Sequence, residues 1–397
     1  MIYNFSNRIA AVQPSAIREI LKSTSDPNVI SFAAGNPAPE AFPVKSIENI
    51  IAIIMGDTPV AALQYSVSEG YAPLREAARS FACTREQNLA GGDDSLIIVS
   101  GAQQGIDLTI KCLINEGDTV LSETPSFVSA LNTIRSYGAN LVGIPMDSDG
   151  IDLALLEKAL CEQPNVKLLY TIPNFQNPTG ITMSPERRKA VYELCRSHGV
   201  MILEDNPYGD LCFSGKHPAA IKALDTEGIV IYVGTFSKII APGLRVGYVI
   251  ANKDFMPKLV VAKQCSDVHT NILAQMVCER FLMSCNMNSH LFNLQKIYDA
   301  KAELMINSLS ASCGKLLSWN VPAGGLFLWC TLPEGVDMTG FCKASAAAGV
   351  AVVPGSAFLT DEHAPCQSFR INYSTPSNEQ IVRGAGLLGD ALKDFVR

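Results

Sequence analysis

The stretch IVIYVGTFSKIIAPGLRVGY, residues 229–248, places Thr235, Ser237, Lys238 and Arg245 directly behind a run of β-branched residues. Two hydroxyls and a guanidinium at that spacing make a pocket for an anion, and an arginine can grip a phosphate through two parallel N–H bonds. A lysine beside a bound phosphate has two uses. It neutralises the anion, or its amine forms a Schiff base with a phosphorylated aldehyde. The apolar run from Ile229 to Val233 reads as a buried strand that breaks at Gly234. Ligands bind at the carboxyl ends of strands in an open α/β sheet, so Lys238 is expected at such an edge, held against the Pro242-Gly243 turn.

Other polar residues gather behind other apolar runs. After VKLLYTI (166–172) comes PNFQNPTG with Asn177, and after VMIL (200–203) comes EDNPYGD with Asp205 and Tyr208 three apart. A carboxylate at a strand end in apolar surroundings can bond a ring nitrogen and keep it protonated, which makes the ring an electron sink. Tyr208 and Asn177 could then donate to a phenolic oxygen on that ring, although an Asn-Pro pair is also an ordinary turn. SGAQQG (100–105) opens a helix whose first amides form an anion site. It lacks the full dinucleotide fingerprint. Phe127, after SETPS, offers a wall for ring stacking, and Arg370 alternates with Phe369 and Ile371 in SFRINYS. An arginine on the opposite face from two core residues needs an anionic partner, and a substrate carboxylate would supply one.

From residue 95 onward the pattern alternates. SLIIVSG, DTVLSET, VKLLYTI, VMILEDN and IVIYVG read as strands, with helices over AQQGIDLTIKCLI, FVSALNTIRSYG and SPERRKAVYELCRSHG, the last capped by Ser184 with Pro185 in its first turn. Such alternation predicts an α/β fold with a mostly parallel sheet flanked by helices. LRVGYVIA (244–251) adds a neighbouring strand. Ahead of this lie helical patterns over 14–25, 46–55 and 70–82, separated by the irregular arm ISFAAGNPAPEAFP and by LQYSVSEG, which carries Tyr65. A long helical region from Asn271 to Ser310 ends the alternation. Beyond it LFLWCTL, GVAVVP and SFRINYS read as strands of a smaller α+β domain.

The chain has 397 residues, 48% hydrophobic and 17% charged, with a formal charge of −7. That length predicts two domains. An acidic balance without a basic run argues against nucleic acid or an anionic membrane as partner and favours small molecules. Twelve cysteines without a CxxC pair or a signal peptide point to reduced thiols in the cytoplasm, and the five histidines have no metal-ligand spacing. The uncharged stretch 344–360, rich in Ala and Gly, is broken by Pro354 and reads as no membrane helix.

The ordered set SGAQQG, TPSF, PNFQNPTG, EDNPYGD, TFSKIIAPGLRVGY, PAGGLFLW and FRINYS resembles the pyridoxal-phosphate aminotransferases of fold type I, class I/II, over nearly the whole chain. Its start, PSAIREIL followed by ISFAAGNPAPEAFP and LQYSVSEGYAPLREA, looks most like the 2-aminoadipate and kynurenine branch. The resemblance implies that Lys238 holds pyridoxal 5′-phosphate covalently and shuttles a proton between the substrate α-carbon and cofactor C4′. It pairs Asp205 with the pyridinium nitrogen, Tyr208 and Asn177 with the phenolic oxygen, and Phe127 with the ring face. It gives the phosphate to Thr235, Ser237, Arg245 and the amides of Ala102 and Gln103, with Tyr65 arriving from the second subunit of a homodimer. Arg370, Asn177 and Gly35 would meet the substrate, and Arg18 would meet a distal carboxylate.

The implied division is an N-terminal arm, or part of the small domain, over 1–44, a large cofactor domain over 45–285 and a small C-terminal domain over 286–397. The expected reaction moves an amino group between an L-amino acid (2-aminoadipate, glutamate, aromatic or branched-chain) and a 2-oxo acid such as 2-oxoglutarate, with no metal. Relatives often carry Tyr at Phe127, Ser at Ala102 and Thr235, and Asp at Asn206, which predicts altered affinity with retained chemistry. The rival readings are a carbon-sulfur β-lyase on the same fold and a non-catalytic ligand sensor. The latter calls for a helix-turn-helix domain before the arm, where only about thirty residues stand.

Overall fold

The computed structural model describes residues 3–10, 12, 29–86 and 88–396. Its centre is an eight-stranded sheet in the order β2-β9-β8-β7-β6-β3-β4-β5. These strands span Asp94–Val99 (β2), Thr119–Thr124 (β3), Asn140–Asp147 (β4), Gly150–Ile151 (β5), Val166–Thr171 (β6), Met201–Asn206 (β7), Val230–Thr235 (β8) and Gly247–Asn252 (β9). Pairs β8-β7, β7-β6, β6-β3 and β3-β4 are parallel, whereas β9 is antiparallel to both β8 and β2. The register puts Gly247 opposite Val99 on one side and opposite Thr235 on the other. The carboxyl ends of β2, β3, β6, β7 and β8 therefore lie along one edge, and the entry to β9 joins them. This is why motifs as distant in sequence as Gly101 and Arg245 meet.

Burial follows strand parity. Leu168, Leu203, Ile231 and Val233 pack with Ile106, Ile110 and Leu259 of helices Ala102–Leu113 and Met256–Gln264 on one face. Leu169, Ile202 and Val230 pack with Leu156, Leu160, Val191 and Tyr192 of helices Leu153–Glu162 and Pro185–Ser197 on the other. A strand covered on both faces must be apolar on both, hence the near-continuous apolar runs. Ser184 caps its helix as expected, accepting a hydrogen bond from the Arg187 amide. Residues 139–165, for which the pattern assigns no element, form β4, β5 and the helix Leu153–Glu162; β4 lies next to the two-residue edge strand β5, and its exposure does not alternate cleanly, which blurs its signal.

The predicted long helix over 271–310 is two helices, Ile272–Ser284 and Met287–Cys313. Asn286 separates them by accepting from the Ser289 amide, a cap that restarts the helix. Helix Met287–Cys313 packs on the C-terminal helix Asn378–Val396, and a second sheet runs Ser318–Trp319 (β10), Phe327–Thr331 (β11), Ser368–Asn372 (β14) and Val353–Pro354 (β13) in spatial order, with helix Met338–Ala347 against β13 and β14. GVAVVP yields two short strands, since Val350–Ala351 (β12) pairs instead with Ile30–Ser31 (β1). That pairing, with the Asn372 amide donating to Phe32 O at 2.8 Å, ties the arm to the second sheet and sets Gly35 near β14. The helix expected over 14–25 lies outside the described residues. Among those described, no helix is long and apolar enough to cross a membrane.

Candidate active site

A cavity of about 450 Å³ opens at the carboxyl edge of the large sheet, lined from the other side by Gly35, Phe327 and Arg370. Lys238, Asp205, Tyr208, Asn177, Phe127, Ala102, Gln103, Thr235, Ser237 and Arg245 all line it. Tyr65 does not; it is exposed on the 64–71 connector, with its ring edge-on to His269. Arg18 lies outside the described residues.

One end of the cavity is built for an anion. Arg245 has a left-handed backbone (φ 53°) after the turn Pro242–Leu244, which directs its side chain back toward the Ser100 carbonyl. Thr235 donates to Ser237 Oγ at 2.9 Å, so the two hydroxyls are already oriented as a pair. Helix Ala102–Leu113 opens here without a side-chain cap, which leaves its first amides and dipole for a ligand. Gln103 contributes backbone only, because its side chain donates to Thr133 Oγ1 at 2.8 Å.

Gly101 sits at φ 79°, and a Cβ there would run into the Arg245 guanidinium. Gly101→Ala is therefore expected to cost about 2 kcal/mol of stability from strain. It should also weaken the affinity for a phosphorylated ligand by displacing Arg245. Thermal unfolding and ligand titration of the variant measure the two effects.

At the centre, Asp205 is 2% exposed near the end of β7. Tyr170 donates to its Oδ2 at 2.8 Å, while Oδ1 has no partner. Burial pushes its carboxyl up to about 7, with the Tyr170 hydrogen bond working against that rise and nearby Glu123 adding to it. A buried carboxylate oxygen without a donor is costly, and a ligand N–H⁺ would satisfy it. Lys238 Nζ donates to the Gly35 carbonyl at 2.7 Å. Burial, then Arg370 and Arg245, pulls this amine down to about 8, so an appreciable fraction is neutral and nucleophilic near neutral pH. Burial pushes the Tyr208 phenol up, so it stays a protonated donor.

The second anion site is Arg370, on β14 between Trp329 and Val353 of the neighbouring strands. Phe369 and Ile371 enter the core and Arg370 faces the cavity, as the alternation predicts. Its guanidinium donates to Asn177 Oδ1 at 2.9 Å and to Ala33 O at 2.7 Å, and lies 4.2 Å from the Phe327 ring centre and 4.9 Å from that of Phe358. Its Nε is buried and unpaired. Burial pulls it down to about 10, which leaves it charged at neutral pH.

Two anion sites, an orphan carboxylate oxygen, a deprotonatable lysine and an aromatic wall fit pyridoxal phosphate together with an amino-acid carboxylate. Asn206 turns away from this arrangement: it donates to Tyr232 Oη and accepts from Asn174 and the Gly209 amide. Sequence reasoning missed Tyr170, Phe327 and Phe358. The signal for Tyr170 was present, since a phenol in a strand buried on both faces must find a polar partner.

Comparisons with known proteins agree. The model of the family described as aminotransferase class I and II matches residues 27–387. An aromatic-amino-acid aminotransferase of Thermococcus litoralis is 38% identical over 99% of this chain and 95% of its own, and a 2-aminoadipate transaminase of Thermus thermophilus is 35% identical over 99% and 97%. The crystal structure of a kynurenine aminotransferase from Pyrococcus horikoshii in complex with PMP matches with a TM-score of 0.94 at 35% identity, covering 99% of this chain and 98% of that one. With family, fold and cavity in accord, this chain belongs to the class I and II aminotransferases, fold type I enzymes that use pyridoxal phosphate to move amino groups between amino acids and 2-oxo acids.

Proposed function

We propose that this aminotransferase takes 2-aminoadipate, glutamate, and aromatic or branched-chain amino acids as donors and a 2-oxo acid such as 2-oxoglutarate as acceptor. We place it in the cytoplasm as a homodimer, with an arm over 1–44, a large domain over 45–285 and a small domain over 286–397. The observation that carries the reading is the convergence of Lys238, Asp205 and Arg370 on one cavity. The names of the relatives support the aromatic and 2-aminoadipate donors.

When bound, pyridoxal phosphate supplies an aldehyde that condenses with amines and a pyridinium ring that draws electrons from the adjacent C–H bond. Lys238 would hold that aldehyde between turnovers, and its free Nζ would stand ready to take the proton from the substrate α-carbon. Asp205 Oδ1 accepts the ring N–H, and Tyr208 and Asn177 donate to the phenolic oxygen. Phe127 covers one ring face. Thr235, Ser237, Arg245 and the amides of Ala102 and Gln103 hold the phosphate, joined by Tyr65 from the second subunit. Arg370 and Asn177 orient the α-carboxylate, with Gly35 beside it.

The test is the absorbance of the cofactor-loaded protein on adding glutamate alone. A shift to the pyridoxamine form that reverses with 2-oxoglutarate supports the reading, and an unchanged band removes glutamate from it. For the distal carboxylate, Arg18→Ala is expected to lower kcat/KM about tenfold on 2-aminoadipate and little on phenylalanine, the range of one charged hydrogen bond. An equal loss on both would exclude that role.

The lysine gives a pH prediction. Only the uncharged amine attacks an aldehyde, so capture of pyridoxal phosphate by the cofactor-free chain should speed up as pH rises and level off above about 8. Stopped-flow rates between pH 6 and 10 measure this. A rise continuing to pH 10 would mean that the amine is solvated like an ordinary lysine.

A further inference from the structure

Behind Asp205, away from the opening of the cavity, the sheet carries a second buried layer of polar groups. Tyr170 is fully buried on β6 and its hydroxyl donates to Asp205 Oδ2 at 2.8 Å. Asp205 Oδ1 is left without a partner in a group that lines the cavity. The two oxygens of one carboxylate are thus distinguished by a single phenol. We propose that Tyr170 is a positioning residue for the cofactor: its hydroxyl fixes the rotation of the Asp205 carboxylate, commits Oδ1 to the ring nitrogen, and favours the anion that accepts from it. The proposal rests on the assignment of Asp205 to the ring nitrogen.

The geometry excludes easy substitutes for the phenol. Glu123 on β3 accepts from Thr171 Oγ1, from the Ile172 amide at 3.2 Å and from Gln176 Nε2 at 3.1 Å, so its own donors hold it in place. It faces Asp205 as a like-charged group or as a neutral acid, and burial pushes it toward the neutral form. Strand β8 sets Val233 opposite Asp205, and helix Ala102–Leu113 turns Gly105 and Ile106 to the sheet. Tyr208 stands on the loop beyond β7, while Lys238, Arg245 and Arg370 share the cavity. Among the described residues, Tyr170 is the one hydrogen-bond donor to the Asp205 carboxylate.

A hydrogen bond to the anion lowers the carboxyl's proton affinity, so losing it raises that affinity. Cofactor binding that needs the anion then fails at a higher pH. The experiment titrates pyridoxal phosphate into cofactor-free wild type, Tyr170→Phe, Asp205→Asn and the double variant between pH 5.5 and 8.5. Tyr170→Phe removes one oxygen and keeps the ring that fills the core.

The expected result is a Kd about tenfold higher at pH 7 for Tyr170→Phe, the effect of one hydrogen bond to a charged group. The pH below which affinity is lost should move up by about one unit, with no further loss when Tyr170→Phe is added to Asp205→Asn. If Asp205→Asn weakens binding while Tyr170→Phe leaves both Kd and the pH midpoint unchanged, the positioning role is wrong and the site assignment stands. If Tyr170→Phe lowers only the melting temperature, the role is structural and the proposal is likewise overturned. If Asp205→Asn itself binds like wild type, the assignment of Asp205 fails and takes the proposal with it.

Discussion

Replacing Lys238 with alanine is expected to slow amino transfer by about 10⁴-fold, the upper range for a positioned acid-base group, with the fold intact. The side chain lines the cavity and its amine makes one hydrogen bond, to the Gly35 carbonyl, so its loss leaves no buried charge behind. Among the described lining residues it is the one primary amine. Arg245 and Arg370 cannot replace it, because a guanidinium stays protonated and cannot take up the α-proton. Lys238→Arg should therefore be as inactive as Lys238→Ala, although it restores the positive charge. Single-turnover rates with glutamate, with circular dichroism to verify folding, decide the matter. Activity within tenfold of wild type in either variant would remove Lys238 from the chemistry.

The same lysine shows why much of this site could be read before any coordinates. Parallel strands buried on both faces produce apolar runs with sharp polar ends, and those ends are where Asn177, Asp205 and Lys238 stand. Arg370 was readable from parity, because Phe369 and Ile371 fix the core face of β14. What the pattern hid is equally physical. Tyr170 sits within VKLLYT, where a phenol that spends its hydroxyl inside the sheet looks like one more apolar ring. Phe327 and Phe358 look like core residues and are core residues, and their contact with the Arg370 guanidinium depends on strand β11 and the helical turn Gly355–Phe358, distant in sequence, meeting beside β14. Strand β4 and the Asn286 break were lost to weak alternation and to a cap of one residue.

Convergence also explains how the second anion site is held. The arm pairs with Val350–Ala351 and lends the Ala33 carbonyl to Arg370, while Arg135 of helix Val128–Ser136 donates to the carbonyls of Leu359 and Thr360 just past Phe358. The Ser126 amide donates to Phe358 O at 2.8 Å. The segment that lays an aromatic ring on the guanidinium is thus tied to the segment that supplies Phe127. Cofactor wall and carboxylate clamp share one support, and a shift in either moves both.

Arg370→Ala is accordingly expected to lower kcat/KM for amino acids by about 10³-fold, within the range for truncating one partner of a buried charge pair. A carboxylate is held in the ground state and in the transition state alike, so most of the loss should appear in KM. The comparison that isolates the effect uses the amine that lacks the α-carboxylate. Wild type should strongly prefer the amino acid, and the variant should lose that preference without losing activity on the amine. Arg370→Lys keeps the charge but not the planar fork that donates to Asn177 and Ala33 at once, so it should recover only about tenfold. The substitution also leaves Asn177 Oδ1 and the Ala33 carbonyl without this donor, which makes a lower melting temperature an expected companion. A variant that still prefers the amino acid over the amine as wild type does would show that another group holds the carboxylate.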